Sequence, residues 1–104
     1  MPYFAVINEA GPAWNPSRQR RDQDEWKEHA QFIDALAEEH FLLLVGPLSP
    51  TRALQILEAE SEHAVRARLA QDPWMMKGTL RILSIDPWEV LVGKERLTNP
   101  PAAP

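Results

Sequence analysis

Apolar side chains recur at helical spacing between Trp26 and His40. Placed about 100° apart, Trp26, His29, Ala30, Phe32, Ile33, Leu36, Ala37 and His40 fall on one arc, and Lys27, Glu28, Gln31, Asp34, Glu38 and Glu39 fall opposite. The pattern predicts an amphipathic helix capped by Asp22 or Asp24, with Asp24 and Glu25 suited to the positive end of its dipole. Elsewhere the period shortens. Pro2 to Asn8, PYFAVIN, sets Phe4 and Val6 on one side and Tyr3, Ala5 and Ile7 on the other, as in a strand covered on both faces. Phe41 to Val45, FLLLV, predicts a fully buried second strand closed by Gly46-Pro47. Ala53 to Ala59, ALQILEA, gives a third strand, and Ser61 caps a second helix that buries Ala64, Val65 and Leu69 and ends at Asp72-Pro73. Trp74 to Gly78 reads as a loop and Thr79 to Ile85, TLRILSI, as the fourth strand. After Asp86-Pro87, Trp88 to Val92 is expected to be an edge segment.

The order is β-α-β-β-α-β, an α+β, ferredoxin-like arrangement with two helices on one face of an antiparallel sheet. It predicts one domain over residues 1–97 and a tail, 98–104, too rich in proline and alanine to pack and expected to be disordered. Because the strands are apolar on both sides, the face away from the helices needs a cover. The expected partner is a second copy of the chain, sheet face against sheet face, with Trp88 to Val92 reaching across.

Composition narrows the partners further. The 104 residues, 44% hydrophobic and 25% charged, carry a formal net charge of −4, which lacks the positive footprint of a nucleic-acid binder. The absence of cysteine leaves no disulfide framework and no thiolate chemistry. With neither a leader pattern after Met1 nor a long apolar run, the expected location is the cytoplasm and no membrane is a partner.

Candidate chemistry centres on His29, an imidazole in the apolar arc where packing alone would favour Leu or Ile. It is either a core histidine satisfied by a backbone carbonyl or one half of a functional pair. The topology supplies a second half: the loops after the first strand, the second strand and the second helix share one edge, which brings Gly46 to Thr51 and Asp72 toward His29. A His–Asp pair would be an acid–base unit whose carboxylate fixes the tautomer, although Asp72 in front of Pro73 is also suited simply to capping a turn. Glu9 to Asp22 is long for a connection in so small a domain. It is either a solvated loop anchored by Trp14 or a cover over a pocket, with Arg18, Arg20 and Arg21 to attract an anion. Ser49 and Thr51 beside proline are ordinary turn residues and weak candidates for a nucleophile. His29, His40, His63 and Asp72 lack the close spacing of zinc motifs, so no metal is expected.

HAQFIDALAEEHFLLLVGP, ALQILEAESEHAVRARL, AQDPW before a glycine, and IDPW after the last strand together resemble the YciI-like (YCII-related) proteins of the dimeric α+β barrel superfamily, from Pro2 to about Val92. GPAWNPSRQRRDQDEW is similar to the longer first loop of a subgroup of mainly bacterial members. The resemblance implies that the active site lies at His29 and Asp72, and that the substrate is small and bears a ring: one relative is a dehydrochlorinase of a chlorinated hydroxyquinol, and the superfamily includes lactone isomerases and cofactor-free monooxygenases. The expectation is therefore a cofactor-independent lyase or isomerase with His29 as base and Asp72 as its orienter. Trp14, Phe32 and Trp74 would form an apolar wall, Gly46 and Ser49 would border the ligand, and Arg21 would hold an anionic group. The competing class is a non-catalytic module that binds a small molecule in the same pocket.

Overall fold

The alternation at the start of the chain is realised as strand β1, Tyr3–Ala10, with Phe4, Val6 and Asn8 buried on one side. The computed structural model describes residues 1–98. After β1 come a single 3-10 turn, Arg20–Asp22, helix α1, Trp26–Glu38, strand β2, Leu42–Ser49, and strand β3, Arg52–Glu58. Helix α2, Glu62–Leu69, a short helix α3, Pro73–Lys77, strand β4, Leu80–Trp88, and a final turn of helix α4, Glu95–Thr98, complete the described chain. The sheet order is β2-β3-β1-β4 with every pairing antiparallel. This is the expected ferredoxin-like layout. Both long helices contribute to one apolar cluster on one sheet face, Leu36 from α1 and Val65 and Leu69 from α2 against Phe4, Val6, Leu42, Leu57 and Ile85.

Several boundaries differ from the sequence pattern, and two share a cause. Strand β2 runs through Gly46-Pro47 to Ser49, and β4 runs through Asp86-Pro87 to Trp88. Both are edge strands, and on an outer edge the N–H that proline lacks has no neighbour to serve. Being an edge strand also corrects the expectation that FLLLV is fully buried, since Leu44 and Val45 are exposed. Glu89 to Val92 forms no strand, and Leu91 and Val92 are exposed. Trp74 to Gly78 is no loop: Pro73 starts α3, and Gly78 closes it in the left-handed conformation at φ 85°. Ser61 does cap α2, its Oγ accepting from Ala64 N–H at 3.1 Å. For α1 neither Asp22 nor Asp24 caps. Its N-cap is Glu25, itself left-handed at φ 62°, and the helix stops as His40 turns left-handed at φ 59°. Ala37 and His40 thus drop out of the buried arc. Of the expected tail, Thr98 closes α4 and residues 99–104 lie outside the described residues.

Candidate active site

Helix α1 begins beside α3, and the register of both sets the site. One turn into α1, His29 is 7% exposed. Asp72, at the N-cap of α3, is 3% exposed. His29 Nδ1 stands 2.8 and 3.0 Å from the two Asp72 carboxylate oxygens. An ionised carboxylate only accepts, so Nδ1 carries the proton of this bond, and in the neutral imidazole that leaves the lone pair on Nε2. The two sequence alternatives for Asp72 hold together: its Oδ1 also accepts from Trp74 N–H at 2.9 Å, capping α3. That bond fixes the carboxylate independently of the histidine.

Aromatic rings hold the imidazole in place. Trp74, fully buried, stacks on His29 with ring centroids 4.0 Å apart and planes 6° from parallel. Its own Nε1–H donates to the Asp24 carbonyl at 2.7 Å. Trp26 approaches both rings, at 5.8 Å from His29 and 5.6 Å from Trp74, and Trp14 meets Trp74 edge-on at 6.0 Å. With Nδ1 tied to Asp72 and one face covered by Trp74, the ring has a single orientation.

His29 lines a cavity of about 290 Å3 between α1 and the helix-facing side of the sheet, bordered by Trp26, Ala30, Ile33, Gly46, Pro47 and Leu80 among others. A second, wider groove of about 950 Å3 adjoins it, and Arg20, Trp26 and Pro47 line both. Gly46 therefore faces the His29 cavity, whereas Trp14, Arg21 and Ser49 line the groove. Phe32 packs against the apolar core under the Arg68 guanidinium, 5.1 Å from its ring centre, and Trp74 lies behind His29; neither borders the cavity. Ser49 Oγ accepts from Thr51 N–H at 3.3 Å and so serves its own turn.

The long first loop is stapled down rather than loose. Gln23, buried, accepts from Asn15 N–H at 2.9 Å and donates to the carbonyls of Asn15 and Arg18 at 2.8 and 3.0 Å. At its start Gly11 passes so close to α3 that a Cβ would stand 2.3 Å from the Gly78 carbonyl oxygen, which only glycine permits. Arg20, whose pKa burial lowers from its ordinary value, donates to the carbonyls of Ser49, Pro50 and Arg52 at 3.3 to 3.4 Å and ties the loop to the β2–β3 turn. Arg21 instead lies over Trp26, 6.0 Å from its ring centre. Of the arginines in this loop, Arg20 is thus the one that reaches the His29 cavity.

Two residues that the sequence pattern did not single out line the same cavity. Asn8 is 2% exposed and Gln55 3%. Their side-chain carbonyl oxygens are buried without a hydrogen-bond partner among the described residues. Leaving such a group unpaired costs about 1–3 kcal/mol. A signal was present: Asn8 continues the Phe4–Val6 face of β1, and Gln55 faces the core from β3 opposite Val6, so each is a polar residue at a period-2 core position. Among the described residues no cluster of three or more His, Asp or Glu side chains is placed to hold a metal ion.

The YCII-related domain family model matches residues 1–89. Among solved structures the chain is similar to the 5-chloro-2-hydroxyhydroquinone dehydrochlorinase of Burkholderia phenoliruptrix in complex with 2,5-dihydroxybenzoquinone. The TM-score is 0.58 with 19% sequence identity, over 88% of this chain and 97% of that one. No curated protein matches the sequence. At that identity the structural likeness speaks for the fold, while the family match spans all four strands and the His29 and Asp72 positions; the protein belongs to the YCII-related domain family.

Proposed function

We propose that this protein is a cofactor-independent enzyme that moves a proton on a small, ring-bearing molecule, in the manner of a lyase or isomerase. The observation that carries the proposal is the buried His29–Asp72 bond at the wall of a ring-sized cavity, made through Nδ1, with no hydrogen bond to Nε2 among the described residues. In this reading His29 Nε2 accepts a proton from the bound ring, and Asp72, holding Nδ1–H, offsets the charge that develops on the imidazole. The stack on Trp74 keeps the lone pair aimed, and Arg20 offers a positive charge at the rim to an anionic substituent. The solved relative supports the substrate class, since its name places a chlorinated hydroxyhydroquinone in a protein of the same fold.

Asp72→Asn is the sharpest test. Asparagine keeps the N-cap of α3, but its amide can donate to Nδ1 and move the histidine proton to Nε2, which abolishes the base. Turnover should fall by about 10²–10⁴-fold, nitrogen-15 NMR should report the exchanged tautomer, and the melting temperature should change little. Deuterium exchange into hydroxylated rings, followed across a substrate panel, supplies the assay. Tight ring binding without exchange or turnover in the parent would assign the cavity to a non-catalytic binding module.

We also propose that the working unit is a homodimer joined through the sheet face away from the helices. That face is partly covered within the chain, as Lys94 Nζ stands 5.9 Å from the Tyr3 ring centre. It nevertheless carries a groove of about 280 Å3 formed by Leu44, Leu48, Leu54, Ile56 and their neighbours, with Leu44 and Leu48 exposed. Contiguous apolar surface of this kind marks an interaction site. Light scattering at micromolar concentration should give twice the chain mass, and a stable monomer would overturn the proposal.

A further inference from the structure

Asn8 and Gln55 hold four hydrogen-bonding functions in a place otherwise built for burial. The carbonyl oxygen of neither carboxamide has a hydrogen-bond partner among the described residues, although each side chain is almost fully buried and both line the His29 cavity. Asn8 pairs with Ala53 and Val6 with Gln55, so the two are diagonal neighbours on adjacent strands, with Cβ atoms about 7 Å apart. A core position filled for stability alone would be apolar, as Val6 and Leu57 are between and beyond them.

We propose that Asn8 and Gln55 determine the specificity of this cavity, selecting a planar ring that carries two oxygen substituents, hydroxyl or oxo. The inference rests on the cavity being the substrate site and adds what it recognises. Size is the first condition: a cavity of about 150 Å3 already holds benzene, so about 290 Å3 has room for a ring with its substituents. Chemistry sets the second. A carboxamide both donates and accepts, so it pairs equally with a hydroxyl or an oxo group, whereas a methyl group or a halogen leaves it unserved. Water entering the cavity can bond the amides, and ring oxygens replace that water without loss, which an apolar ring cannot do.

Hydroquinone and p-xylene form a matched pair of probes, alike in ring and nearly in size. By calorimetry the parent should bind hydroquinone on the order of tenfold more tightly than p-xylene, or better. Asn8→Leu and Gln55→Leu should each narrow that preference, and the double variant should reverse it. All three should melt at a higher temperature than the parent, because an unserved buried amide is replaced by an apolar group of similar volume. Equal affinities in the parent, binding of neither probe, a preference that survives in the double variant, or a fall in melting temperature would each overturn the inference. His29→Ala separates the two proposals: it should keep the hydroquinone preference while losing proton exchange. Unchanged exchange in His29→Ala would overturn the catalytic reading and leave ring recognition standing.

Discussion

The two ends of the layer between α1 and the sheet have the same geometry and opposite chemistry. Toward the C-terminus of α1, Leu36 meets Phe4, Leu42, Leu57, Val65 and Leu69 in a sealed apolar cluster. Toward its N-terminus the same layer holds His29, Asn8 and Gln55, buried and polar around an open cavity, with the buried Asp72 bonded to the histidine. The register of β1 and β3 divides them: Phe4 opposes Leu57 in the core, and Asn8 opposes Ala53 at the cavity, only four residues along. One end contributes cohesion and the other gives some of it up for recognition and chemistry, the trade expected where a small domain carries a site.

A truncation in the sealed end gives the largest effect and the clearest contrast. Leu36 has no exposed surface, and Leu36→Ala should lower stability by about 2–5 kcal/mol through lost contacts and the cavity left behind. Urea denaturation measures this. The folded fraction should bind ring probes as the parent does, because the His29–Asp72 bond is fixed from α3 and Trp74 rather than from the cluster. A loss of ligand affinity equal to the loss of stability would break the division.

Gln23→Ala probes the staple that holds the first loop. It removes all three side-chain bonds to Asn15 and Arg18, and the expected cost is about 1–3 kcal/mol, chiefly from the backbone groups left unserved. Amide exchange at Asn15 should accelerate while exchange in β1 and β3 stays slow. If exchange rises uniformly, the loop is part of the global core and not a separate element.

The strand and helix order was legible because period 2 and period 3.6 alternate cleanly, and the pairing of His29 with Asp72 followed from topology together with the family resemblance. What escaped has identifiable causes. Pro47 and Pro87 read as strand ends in the sequence, yet both strands lie on the sheet edge, a property of pairing that a single strand's pattern does not contain. Trp74 has the composition of a ligand wall, but its stack on His29 depends on the turn of α3 that Asp72 and Gly78 close. Asn8 and Gln55 were visible as polar residues on core faces; their meaning emerges only when the cavity between them and α1 is in view. Arg20 and Arg21 are adjacent and chemically identical, and only the fold turns one toward the cavity and lays the other on Trp26.

The smallest effect is expected at the far end of β1, where Tyr3 supplies a polar group remote from the site. Tyr3 opposes Glu58 on β3, and burial, with the Glu58 carboxylate adding to it, raises its pKa above the ordinary 10.0. The neutral phenol is thus favoured in the folded state. Its contribution is fully present below the unfolded value near 10 and is lost as pH rises through the higher folded value. Tyr3 is the single tyrosine of the chain, so absorbance near 295 nm follows it without interference from another phenol. The folded protein should ionise above pH 10.0 and the denatured chain at about 10. Tyr3→Phe should remove this one component of the alkaline fall in stability while leaving ring binding at the other end of the strand unchanged. A folded midpoint at or below 10.0 would show that the sheet end around Tyr3 is open to water.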